Sequence, residues 1–118
     1  MKLRPTQRAV WTNKVRKGFN TSDVPLELCL LQGEVTELFQ AWRSGADNVG
    51  EELADVAIYL LGLAEMLKVD LEQEIIMKLE VNAQRRYVKQ GDILVKSGPV
   101  DDTPRLRIVE EQSEDMLF

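Results

Sequence analysis

The chain has 118 residues, 44% hydrophobic and 30% charged, with a formal net charge of −5 and no histidine. That length supports one hydrophobic core and that composition is globular, which excludes fibrous and wholly disordered classes. An acidic balance without a dense Lys/Arg stripe argues against polymeric DNA or RNA as a partner, and the missing imidazole removes histidine-dependent triads and the commonest transition-metal ligand.

In chain order, the first helical pattern covers residues 5 to 17, with Pro5 where a first turn tolerates it. The second opens on the capping cluster Thr21-Ser22-Asp23, has Pro25 in its first turn and ends near Gly45. Leu28, Leu31, Val35, Leu38 and Trp42 follow its three-and-four spacing and predict one buried face. The sole cysteine, Cys29, lies in Leu28-Cys29-Leu30-Leu31 and is expected to be a buried small hydrophobe in a reducing compartment. The third pattern starts at Asn48, three residues before Glu51 as in a capping box, and runs to Lys68. Its nearly continuous apolar character from Leu53 to Leu67 predicts a helix covered on most sides. The fourth starts at Asp70, with Gln73 placed for a second capping box, and continues to Lys89. Short connections predict an all-α, antiparallel four-helix bundle as a domain over residues 1 to 91. Residues 92 to 118 form a tail, extended or a short β-hairpin built on Ile93-Leu94-Val95 and Leu106-Arg107-Ile108-Val109, with a mobile acidic end. The N-terminal Met1-Lys2-Leu3-Arg4-Pro5 lacks an apolar signal core, and the apolar stretch near residues 56 to 67 is too short to span a bilayer. A cytoplasmic location without a membrane partner is the expectation.

The chemistry is carried by two pairs of carboxylates. Glu34 and Glu37 stand three apart on the second helix, and Glu52 and Asp55 repeat the spacing on the third, where Asp55 is the only charge from Leu53 to Leu61. Taken singly, ExxE and ExxD are more often solvated or salt-bridged faces than sites. On two antiparallel helices, both pairs would converge, and four facing carboxylates repel unless cations lie between them. All-oxygen ligation without histidine points to Mg²⁺, with Mn²⁺ as a substitute, shared with substrate phosphates. Lys78, Asn82 and Arg85 then line one edge of the fourth helix, suited to phosphate and sugar oxygens. Trp11, Phe19, Phe39 and Trp42 are candidate base-stacking groups, Trp11 and Phe19 preferred, with Asn20 as a hydrogen-bond donor and Trp42 assigned to the core unless it reaches another subunit.

Gly33-Glu34-Val35-Thr36-Glu37-Leu38, Glu51-Glu52-Leu53-Ala54-Asp55-Val56-Ala57-Ile58-Tyr59-Leu60 and Lys78-Leu79-Glu80-Val81-Asn82-Ala83-Gln84-Arg85 together resemble the MazG family of all-α NTP pyrophosphohydrolases. The resemblance covers residues 20 to 90 and is closest to the small dCTP pyrophosphatase-like branch, which shares Gly33 where the wider family has glutamate. It implies hydrolysis of an NTP or dNTP between the α and β phosphates, for house-cleaning or dNTP pool control. It also implies Glu34, Glu37, Glu52 and Asp55 as metal ligands, Lys78, Asn82 and Arg85 on the substrate, a homodimer or homotetramer, and a leaning to dCTP or dATP. Two readings compete. A ferritin-like di-iron carboxylate protein needs ExxH motifs, which a chain without histidine cannot have. A noncatalytic helical oligomer acting as a binding module would bridge its carboxylates to Lys and Arg of another chain.

Overall fold

In a computed structural model of the chain, residues 1 to 97 are described. Four helices, α1 (Arg4–Lys17), α2 (Val24–Arg43), α3 (Val49–Met66) and α4 (Leu71–Gln84), are followed by an antiparallel hairpin of β1 (Arg86–Gln90) and β2 (Ile93–Ser97). The chain divides into two compact units, Lys2–Leu71 and residues from Glu72 onward.

In the first unit the helix ends follow local chemistry. Asp23 caps α2 by accepting a hydrogen bond from the Leu26 amide at 3.1 Å, with Pro25 in the first turn as expected. Asn48 departs from the expected capping box: its side chain makes no cap bond and instead donates to Glu52 Oε1 at 3.3 Å. At their C-termini, α1, α2 and α3 close alike, with left-handed Gly18, Gly45 and Lys68 and amide bonds from the next residue to the carbonyls of Lys14, Ala41 and Ala64.

Pairings along α3 run in the opposite sense to those along both α1 and α2. Gln7 of α1 donates from Nε2 to Glu65 Oε1 (3.1 Å) and the Val69 carbonyl (2.8 Å), and its Oε1 accepts from the Leu71 amide at 3.2 Å. Arg4 forms an ion pair with Asp70. The Lys14 stem lies against Gly62 of α3, where an added Cβ would stand 3.5 Å from Lys14 Cδ, an ordinary van der Waals contact. Leu61, Gly62, Leu63 and Ala64 form the buried centre of α3.

The expected buried stripe of α2 requires correction. Glu27 and Ala41 are buried and Leu31, Glu34 and Leu38 half-buried, whereas Leu28, Val35 and Trp42 are exposed, Trp42 to 66%. The helix is apolar on two faces, and the predicted stripe drew residues from both: Leu31 and Leu38 turn inward, Leu28, Val35 and Trp42 outward. Cys29 is likewise exposed, not buried. Trp42 leaves the core to rest on Phe39, with ring centroids 6.1 Å apart.

In the second unit α4 is shorter than the sequence predicts, because Arg86 to Gln90 turn into a strand paired Val88 to Val95 and Gln90 to Ile93. The hairpin therefore straddles the expected domain boundary at residue 91, and its second strand is not the expected Leu106–Val109 segment, which lies outside the described residues.

Candidate active site

Antiparallel pairing of α2 and α3 brings Glu34, Glu37 and Glu52 together, each offering a carboxylate oxygen within 4.8 Å of the others. Glu34 and Glu52 are half-buried, and each keeps one oxygen, Oε2, inaccessible to solvent and without a hydrogen-bond partner. A buried carboxylate oxygen left so costs free energy that a hydrogen-bond donor or a cation would recover. The electrostatics agree. Burial raises the Glu34 pKa, reinforced by a hydrogen bond with Glu37 and by the charges of Glu37, Asp55 and Glu52. Burial also raises that of Glu52, with Glu37, Asp55 and Glu51 adding to it.

Asp55 falls outside this cluster of three and is exposed, so the expectation that its apolar setting demands a partner does not hold. The demand comes from Glu34 and Glu52. Asp55 is near enough to act on both through space.

A cleft of about 210 Å³ opens beside the carboxylates, bounded by Val10, Lys14, Phe19, Leu30, Ile58 and Tyr59, with Asn13, Asn20 and Glu27 completing it. Tyr59 links cleft and cluster: burial and the charges of Glu34, Glu27, Asp55 and Glu37 all hold its phenol protonated above the usual range. Of the expected base-binding groups, Phe19 and Asn20 line the cleft and Trp11 does not. Asn20 donates from Nδ2 to the Asp23 carbonyl (2.7 Å) and Glu27 Oε1 (3.3 Å), while its Oδ1 accepts from the Ser22 and Asp23 amides. Its amide is thus engaged in building the α1–α2 loop. On the second unit, Lys78 and Asn82 are exposed on α4 and Arg85 follows the helix end, donating from Nη1 to Asn82 Oδ1 at 3.3 Å.

Lys14, Glu27 and Tyr59 escaped the reading of the sequence. One signal was available: Glu27 precedes Glu34 by seven residues, which places both on one face of α2.

The fold and site define a mostly helical chain with a carboxylate cluster between two adjacent helices. The chain is 42% identical to dCTP pyrophosphatase 1 of Mus musculus over 95 residues, 69% of this chain and 53% of that protein. It is 42% identical to the Rattus norvegicus protein of that name over 65 residues, 45% of this chain and 38% of that protein. It is 37% identical to the Homo sapiens one over 67 residues, 47% and 38% of the two chains. Over the matched stretch the chain is a homologue of these MazG-like NTP pyrophosphohydrolases, as its motifs led one to expect. It spans about half the length, or less, of the curated relatives it matches. No family model and no solved structure matches the chain.

Proposed function

We propose that this protein hydrolyses nucleoside triphosphates, (d)NTP and water giving (d)NMP and pyrophosphate, in house-cleaning or dNTP pool control. The convergence of Glu34, Glu37 and Glu52 around two buried, unpartnered oxygens carries this reading, and the relatives named dCTP pyrophosphatase 1 support it. The donor set is all oxygen, which suits Mg²⁺, or Mn²⁺ in its place, held by these three glutamates and Asp55. Such an ion, when bound, offsets phosphate charge and acidifies a coordinated water.

The chain's own groups do the rest. Glu37, exposed at the cluster's edge, or Glu34 takes the proton of the water that attacks the α-phosphorus. Pyrophosphate departs as the leaving group, its charge countered by Lys78 and Arg85, with Asn82 on a phosphate or sugar oxygen. Phe19, at the mouth of the cleft and 57% exposed, offers a face for the base. The enzyme works as a cytoplasmic homodimer or homotetramer.

The test is pyrophosphate release across a panel of NTPs and dNTPs with Mg²⁺. Glu37→Gln is expected to keep the fold and lower turnover about 10²-fold or more; near-normal turnover would sink the assignment. No pyrophosphate from any nucleotide, with no Mg²⁺-induced rise in Tm, would favour the noncatalytic binding module.

A further inference from the structure

The wall of the cleft contains a buried ion pair that the carboxylate cluster does not use. Lys14 of α1 is 7% exposed and Glu27 of α2 is 1% exposed, and the Lys14 ammonium donates to Glu27 Oε2 at 2.5 Å. The other oxygen, Oε1, accepts from Asn20 Nδ2 at 3.3 Å. Burying such a pair is seldom worth its desolvation cost as a clamp alone, since apolar residues of similar volume serve as well or better. What apolar contact does not supply is direction.

That direction bears on Phe19. The Phe19 amide donates to the Lys14 carbonyl at 3.0 Å, so the aromatic hangs from the residue whose side chain Glu27 holds. On its other side stands Asn20, which donates to Glu27 and to the Asp23 carbonyl and accepts from the Ser22 and Asp23 amides. Asp23 in turn caps α2. Glu27 thus gathers the end of α1 and the α1–α2 loop onto α2, one oxygen to each. Phe19 itself is 57% exposed although it lines the cleft, so packing does little to fix its ring. Glu27 and Glu34 share a face of α2 two turns apart, about 10 Å along the axis. The helix that carries the first carboxylate pair therefore also sets the distance from that pair to Phe19.

We propose that Glu27, through Lys14 and Asn20, is a positioning residue that holds the Phe19 ring where a nucleotide base stacks on it, and so governs affinity for nucleotides whatever the base. This rests on the pyrophosphohydrolase reading above, in which Phe19 offers a face to the base. Stacking needs only a π face, which every base has, so the ion pair acts alike on purines and pyrimidines. It stands about two turns of α2 from Glu34, so its loss falls on KM and leaves kcat.

The test measures kcat and KM of the full chain with Mg²⁺ for dCTP, dTTP and dATP, in the wild type, in the double variant Lys14→Met/Glu27→Leu, in Phe19→Ala and in the triple variant. The double variant replaces the pair by apolar groups, and its Tm shows whether it is folded; should it not fold, Glu27→Gln, which keeps the shape and one acceptor oxygen, takes its place. A base stack is worth roughly tenfold or more in affinity, so the double variant is expected to raise KM by about that factor for all three nucleotides with kcat kept. Phe19→Ala is expected to raise KM as much, and the triple variant no further, because both changes remove one stack. An unchanged KM in a folded double variant, a rise confined to one base, or effects that add in the triple variant each overturn the proposal and mark the pair as structural. Calorimetric titration of dCMP and dAMP into the same proteins reads the stack without hydrolysis. If no nucleotide is hydrolysed, the function fails while weaker binding in the double variant, with no further loss in the Phe19→Ala background, still upholds the positioning role; equal binding by wild type and double variant, or none by the wild type, overturns it.

Discussion

Lys68 adopts φ 56°, a left-handed conformation that costs a non-glycine residue about 1 kcal/mol or more, at the position where α1 and α2 use glycine. Lys68→Gly is therefore expected to raise stability by about 0.5–1 kcal/mol, read as a higher denaturant midpoint with an unchanged m-value. The carboxylates at the site predict the opposite tendency. Glu34 and Glu52 have pKa values raised above 4.5 by folding, so the folded chain binds their protons more tightly than the unfolded one. Their ionisation then lowers stability as pH rises through the folded pKa values, and the penalty is relieved as pH falls toward 4.5. The Tm advantage of Glu34→Gln over the metal-free wild type should accordingly widen from pH 5 to pH 8. Mg²⁺ competes with the same protons, so its stabilising effect should weaken over the acidic part of that window. A Tm difference independent of pH would refute the charge account.

At the scale of elements, the end of α4 shows how local and tertiary preferences compete. Helical spacing extends to Lys89, yet Tyr87 and Val88 favour a strand and Gly91 provides a turn. Gly91 has φ 65° and Asp92, among the described residues, does not share it, the pattern of a two-residue loop with glycine first. Gly91→Val should cost about 1–2 kcal/mol in this hairpin, visible as faster amide exchange at Val88 and Val95, with α1 to α3 unaffected. In the first unit Gln7 has the corresponding importance, because its amide holds Glu65, Val69 and Leu71 at once. Its loss would leave half-buried partners short of a hydrogen bond.

At the scale of the molecule, the outward faces of α2 and α3 are too apolar for isolated helices in water. Leu28, Val35, Phe39 and Trp42 on α2 and Leu53 and Leu60 on α3 are all exposed. A patch of this kind is characteristic of an interface, which supports the proposed homo-oligomer. Light scattering should return two or four times the chain mass, and Trp42→Glu should shift the population to smaller species; a wild-type monomer would dismiss the idea.

What was legible in the sequence was whatever depends on near neighbours. Pro5, Asp23, Pro25 and Gly45 mark helix starts and stops through backbone geometry, and the three-residue spacing within Glu34/Glu37 and Glu52/Asp55 follows from the helical repeat alone. From these the helices, the carboxylate pairs and the kinship with pyrophosphohydrolases could be read. Which face of an apolar helix turns inward is not a local property: Leu28, Val35 and Trp42 fit the period as well as Leu31, Leu38 and Ala41, and only packing against α3 separated them. Packing likewise decided that Glu34 and Glu52, not Asp55, hold the unpartnered oxygens, and that Lys14 meets Glu27 in the cleft. Such contacts join residues distant in sequence, and their free energy depends on the desolvation that only the assembled fold imposes.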